Sequence, residues 1–204
     1  MIEVKAFNNT YMKSCSYCIY DDKTKEAYIV DPGDSECIMA FVSDKSLQPQ
    51  GIFITHCHID HVYGLNEVHN AYQQAKIYCS KETYKGLKDE RINMSYIFSD
   101  DDFVTPEKDA YTFLSSTSRI HCFGIPIIIM ETPGHDIDCL TYIIGQNIFT
   151  GDCYSPDIQM QHCWFRSNKS DAKTSEQRII SVINQYDLYV KDQMPHHTSL
   201  LCIA

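Results

Sequence analysis

The chain has 204 residues, 44% of them hydrophobic and 22% charged, an ordinary globular composition with enough length for one well-buried domain. A net charge of -10, with 17 lysines and arginines and no run of them, argues against a nucleic-acid partner, because phosphate binding relies on a basic face. The longest apolar run, FGIPIIIM at 123–130, has strand length and contains a proline, so no membrane span is expected.

The opening residues, MIEVKAFNNTYMKS, show neither a basic leader nor an apolar signal core. The ten cysteines therefore read as reduced, buried thiols of a cytoplasmic protein rather than a disulfide framework. Segments 2–7, 16–20 and 26–31 read as strands, and DPGD at 31–34 as a turn. A helix is expected over 35–46, a buried strand over 51–55, a helix around 62–74, a strand over 76–80 and a helix over 81–88. Residues 89–121 show no clear period; SDDDFVTPEKD within them reads as an exposed loop or short hairpin. Strands follow at 125–131, 139–145 and 147–151, then a loop over 154–172. Thr174 and Gln177 suggest a capping box opening a helix over 174–186, with a last strand at 187–194. No repeat, low-complexity tract or linker divides the chain, so residues 1–204 read as a single domain of sheet layers with helices outside.

One stretch is loaded beyond the needs of a core. ITHCHIDHVYG at 54–64 puts His56, His58, Asp60 and His61 within six positions, directly after a buried strand. Residues two apart in extended chain project to the same side, and the corner that follows aims Asp60 and His61 back at the same point. Imidazole nitrogen and carboxylate oxygen are zinc ligands, and four so close exceed what one open site takes from a single loop. Two adjacent metals fit better. Further metal-competent residues stand at other strand exits: His135 in ETPGHD, Asp152 in FTGDC, and His196 and His197 in MPHHT.

THCHIDH, TPGHD, TGD and the late histidine together resemble the metallo-β-lactamase superfamily of metallohydrolases, in particular its glyoxalase-II-like branch. The likeness runs from YIVDPGD to MPHHT, with the motifs in the family's order. It implies a four-layer αββα sandwich (an α/β, or α+β, fold) with the metals at one edge between the sheets. It further implies His56, His58 and His135 on one metal, Asp60, His61 and His197 on the other, and Asp152 bridging. Aligning on Pro195 makes His197 the ligand and His196 the replacement of a family glycine. The cofactors implied are two divalent ions, zinc before iron or manganese. The activity implied is hydrolysis of a small ester or thioester by metal-bound hydroxide, with Asp60 also orienting the hydroxide proton as a catalytic residue.

Three features depart from the family pattern. DIDCL replaces the Thr-Pro-Gly-Ser that commonly follows the histidine, and CYSPDIQMQHCWFRS lacks the glycine-rich run of glutathione-thioester hydrolases. The seven residues after His197 leave no room for the helical domain those enzymes use for glutathione. A mononuclear iron persulfide-dioxygenase-like sulfur oxygenase and a non-catalytic metal-stabilised binding protein are the alternatives. Of the smaller features, Cys15 and Cys18 read as buried thiols rather than a site, and Cys57 and Cys153 should point away from the ligands beside them. Tyr63, Tyr154, Trp164 and Phe165 are candidates for the substrate mouth or for covering the sheet edge. His162 reads as an exposed loop histidine, His69 and His121 as non-site residues, and Arg166 as a candidate partner of an anionic substrate group.

Overall fold

The computed structural model describes residues 1–98, 103, 105–156 and 164–191. Strands β1 (Ile2–Asn8), β2 (Cys15–Asp21) and β3 (Glu26–Val30) form an antiparallel meander, followed by helix α1 (Ser35–Asp44). Strands β4 (Gln48–Phe53), β5 (Lys76–Cys79) and β6 (Tyr111–Phe113) extend that sheet in parallel, in the order β1 to β6. Between β4 and β5 lie the short helices α2 (Ile59–Val62) and α3 (Leu65–Ala71). Between β5 and β6 come α4 (Lys81–Gly86), α5 (Glu90–Asn93) and α6 (Ser95–Phe98). A small hairpin, β7 (His121–Cys122) with β8 (Ile125–Pro126), leads to β9 (Ile128–Glu131), β10 (Leu140–Ile144) and β11 (Asn147–Phe149). After α7 (Lys169–Tyr186), β12 (Tyr189–Lys191) pairs in parallel with β11 and completes the second sheet.

Strand alternation builds the layers. On β2, Cys18 and Tyr20 pack beneath α1, α3 and α4, while Tyr17 and Ile19 face the second sheet. On β10, Leu140, Tyr142 and Ile144 meet that inter-sheet core, and Ile143 faces Ile179 of α7. The result is the αββα sandwich, both sheets buried on two faces by period-2 side chains. Each fully buried isoleucine or phenylalanine contributes roughly 1.5–3 kcal/mol through area removed from water. Hydrogen bonds cross between the sheets: Leu140 N–H donates to the Thr55 carbonyl at 2.8 Å, and the Tyr142 hydroxyl to the Ile54 carbonyl at 2.8 Å. They tie the exit of β4 to the start of β10. No helix among the described residues is long and apolar enough to cross a membrane.

Several boundaries differ from the sequence expectations. The helix expected around 62–74 is two pieces, broken where Gly64 N–H turns to the Pro32 carbonyl at 3.0 Å. The strand expected over 125–131 is two segments, because Phe123 and Gly124 form a left-handed turn that pairs Pro126 with His121. Residues 89–121 contain α5, α6 and the edge strand β6, all too short to show a period. Helix α7 begins five residues before Thr174, capped by the Asn168 side chain, which accepts from Ser170 and Asp171 N–H. The Thr174 hydroxyl bonds back to the Ser170 carbonyl inside the helix, so it caps nothing. Residues 192–194 of the last expected strand lie outside the described residues, and so do His162, His196 and His197.

Cys15 and Cys18, three apart on one strand, point to opposite faces of the sheet. No disulfide joins any of the eight described cysteines. Burial pushes Cys18 up to about 12.

Candidate metal centre

The site forms at the sandwich edge where β4, β9 and β11 run out. Residues 54–58 lead from β4 through a bend at Thr55 into α2, which starts with the extended His58 as its N-cap and brings Asp60 and His61 round within one turn. His56 lies with its ring centroid 4.6 Å from His58, 4.4 Å from His61 and 5.1 Å from His135. His135 comes from the turn after β9 and Asp152 from the 3-10 turn after β11. The fold therefore gathers His56, His58, Asp60, His61, His135 and Asp152; the seventh expected residue, His197, lies outside the described residues.

Two glycines permit these approaches. Gly151 has φ +52°, and a Cβ there would meet Thr55 Oγ1 at 2.4 Å, so only glycine lets this turn close on β4. Gly134 has φ +143°, and its Cβ would meet the Ala172 backbone of α7 at 2.2 Å. Ser175 of the same helix donates to the Pro133 carbonyl at 2.7 Å, so α7 grips the turn that carries His135. Gly134→Ala is expected to lower unfolding stability by about 3 kcal/mol, combining backbone strain with the clash. Chemical denaturation checks this; an unchanged midpoint would mean that α7 does not hold the turn.

Hydrogen bonds set the ring orientations. Asp31, 2% exposed at the end of β3, accepts from Thr55 N–H at 2.7 Å and from the Thr55 hydroxyl at 2.6 Å. With its proton committed to Asp31, the Thr55 hydroxyl can only accept from His56 Nδ1–H, 3.0 Å away. That leaves His56 Nε2 as a bare acceptor, buried and without a hydrogen-bond partner among the described residues. Asp31 also stands 3.1 Å from His61 Nδ1, turning Nε2 of that ring toward Asp152 Oδ1 at 3.0 Å and Asp60 Oδ2 at 3.5 Å. The other Asp152 oxygen faces His135 Nε2 at 3.5 Å, and His135 Nε2 lies 3.0 Å from His58 Nδ1.

The electrostatics follow from burial. Burial, reinforced by neighbouring His61 and His58, holds His56 well below the ordinary histidine range. Burial likewise takes His135 down to about 4, so both rings are neutral nitrogen donors at pH 7. At His61 burial acts in the same direction, but the Asp60 and Asp152 carboxylates outweigh it and draw positive charge to that ring. Asp152 is held well below the carboxylate range by His61 and His135 despite burial. Carboxylates that favour a proton here favour a divalent cation at the same place. Two groups offer ligand atoms within 4.8 Å of one another: His56, His58 and His135, and His56, His61 and Asp152. With an unpartnered buried nitrogen and nitrogen-oxygen donors at this spacing, the cluster fits a metal site.

A two-sheet sandwich with a buried His/Asp cluster at its edge defines a metal-binding αββα protein. The sequence model of the metallo-beta-lactamase superfamily matches residues 14–153, and the chain belongs to that superfamily. It is 28% identical over 132 residues to a hydroxyacylglutathione hydrolase of Erwinia tasmaniensis, covering 65% of this chain and 44% of that protein. It is 24% identical over 194 residues to a glyoxylase B2 of Dictyostelium discoideum, covering 87% of this chain and 65% of that one. The chain thus spans less than two thirds of the length of both curated relatives. Among solved structures, the BLEG-1 B3 metallo-beta-lactamase superposes with a TM-score of 0.76 at 21% identity, covering 85% of this chain and 83% of that one. TTHA1623 in a di-iron-bound form superposes at 0.72 with 18% identity, covering 87% and 86%. These likenesses establish the fold.

Sequence reasoning misses the residues behind the cluster. Asp31 reads there only as part of a turn, and Asp136 and Asp138 only as departures from a motif. Both of the latter are buried: Asp138 Oδ2 accepts from Cys57 N–H at 2.9 Å, between two of the histidines. Burial and the adjacent Asp136 charge raise Asp138 to about 6. Arg166, expected to be available for an anionic substrate group, is instead paired with Asp136 at 2.7 Å, its side chain 10% exposed. Buried Asp136 needs a counter-ion, and Arg166 supplies it. Of the mouth candidates, Trp164 lies with its ring 6.2 Å from His58, Tyr63 donates its hydroxyl to Asp34, and Phe165 is exposed. Cys153, on the 3-10 turn, directs its thiol to the Thr132 carbonyl, and Cys57 joins the helix-side core, both away from the cluster.

Proposed function

We propose that the protein is a dinuclear metal hydrolase, zinc being the first expectation, acting on a small ester or thioester. His56, His58 and His135 hold one ion in this reading, Asp60, His61 and His197 the other, and Asp152 lies between them. Two divalent ions held there would supply an activated water, by lowering its pKa toward neutrality, and would offset charge developing on an attacked carbonyl. The chain's own residues do the rest. Thr55 and Asp31 keep the His56 and His61 rings turned inward, and the neutral state of His56 and His135 leaves their nitrogens open as ligands at pH 7. Asp60, at the start of α2, both binds and orients the attacking water's proton. Its backbone carbonyl is anchored by the Ser14 hydroxyl at 2.6 Å.

The observation that carries the reading is Asp152, whose two oxygens face different histidines, 3.0 Å to His61 and 3.5 Å to His135. A carboxylate so placed suits a bridging role. The thioester preference draws support from the hydroxyacylglutathione hydrolase among the relatives, whose name denotes a thioester substrate. The acidic net charge of -10 supports a small-molecule substrate over nucleic acid. The three core clusters run through both sheets and α7, which supports reading residues 1–204 as one domain.

Chelation provides the test. With a panel of aryl esters and acyl thioesters, chelator should reduce turnover to background and added zinc should restore it. Full turnover by metal-depleted protein, or none by metal-loaded protein across the panel, would overturn the proposal.

A further inference from the structure

The segment after His135 departs from the family pattern and carries two buried carboxylates. Asp136 Oδ1 is fully engaged: Arg166 Nη2 donates to it at 2.7 Å and Asp138 N–H at 3.3 Å. Asp136 Oδ2 is buried and has no hydrogen-bond partner among the described residues, and the same holds for His58 Nε2. These two atoms face each other at 3.6 Å, on side chains 0% and 4% exposed. A buried oxygen and a buried ring nitrogen each lose a hydrogen bond to water on folding, which is costly unless a partner replaces it. A movement of a few tenths of an ångström lets each be the other's partner. The opposite nitrogen of the ring, His58 Nδ1, lies 3.0 Å from His135 Nε2 and so faces the cluster.

We propose that Asp136 is a positioning residue for His58, taking its Nε2–H so that Nδ1 is left as the free donor toward the metal centre. The inference rests on the reading of His58 as a ligand. Arg166 keeps Oδ1 occupied and thereby presents Oδ2 to the ring. Ligand histidines hold their tautomer by donating the remote N–H to a carboxylate or carbonyl, and here the carboxylate comes from the residue next to another ligand. The alternative is that Asp136 serves only as counter-ion to Arg166. That role would be indifferent to which His58 nitrogen carries the proton.

Nitrogen NMR of the full-length, chelator-treated protein at pH 8 decides between them. The His58 ring should be in the Nε2–H form; the Nδ1–H form, or a mixture without clear Nε2–H excess, overturns the proposal. Asp136→Asn keeps the volume, but Arg166 draws the amide oxygen and leaves the amide N–H facing Nε2. Its ring should therefore switch to Nδ1–H, with zinc affinity falling about 10- to 100-fold. An Asn variant that keeps both the tautomer and the zinc affinity of the parent also overturns it. The wild-type spectrum decides the question even if the variant fails to fold. If the wild-type chain takes up no zinc, the hydrolase reading fails while the ring tautomer still decides the role of Asp136. If it takes up two ions with His58 as Nδ1–H, the positioning role fails and the hydrolase reading stands.

Discussion

Asp152→Ala is expected to lose metal and hydrolysis together, with turnover falling on the order of 1000-fold, equivalent to about 4 kcal/mol of lost charge stabilisation. Its carboxylate stands against both His61 and His135, so its removal should strip donors from each half of the cluster. It also removes one of the two negative charges, Asp60 carrying the other, that draw a cation to His61. Folding should survive, because the Gly151 turn, the Thr150 hydroxyl bond and the Cys153 thiol contact lie on the backbone side of the residue. Metal analysis alongside a thioester assay reads both quantities. A variant with full metal content and full rate would remove Asp152 from the centre.

Asp31→Ala should act through the rings it orients and damage stability as well. Three donors converge on this carboxylate: Thr55 N–H, the Thr55 hydroxyl and His61 Nδ1, at 2.7, 2.6 and 3.1 Å. Each buried donor left without a partner costs about 1–3 kcal/mol, so a loss of roughly 3 kcal/mol or more is expected in denaturant unfolding. The freed His56 and His61 rings should weaken metal binding about 10- to 100-fold. The two effects separate experimentally, since excess metal should recover activity without restoring the stability of the metal-free protein. A variant as stable as its parent would show that the Thr55 and His61 bonds are dispensable.

The cluster is legible in the sequence because its ligand types are concentrated: four in the six positions 56–61, and His135 and Asp152 each just beyond a readable strand. Its supports are not. Asp31 reaches His61 only because β3 and β4 are parallel neighbours, a pairing that sequence spacing does not specify. Asp136 and Arg166, 30 positions apart, meet only once α7 packs its first turn on the Gly134 loop. The apolar and aromatic runs of β2 and β10 mark buried strands, whereas β6, three residues long, is too short to read. Helix α7 hides its start because its first turns, KSDAKTSEQ, are almost wholly polar, burying only Ala172 and Ser175 against the loop. Cys15 and Cys18 are buried thiols as read, because in a strand the odd separation of C-x-x-C sends the two side chains to opposite faces.

A centre for two divalent ions is tested most directly by counting them. Elemental analysis of the purified full-length chain, dialysed after zinc supplementation, should find about two equivalents of metal per chain. One equivalent would contradict the dinuclear centre, and none would contradict the metal site altogether.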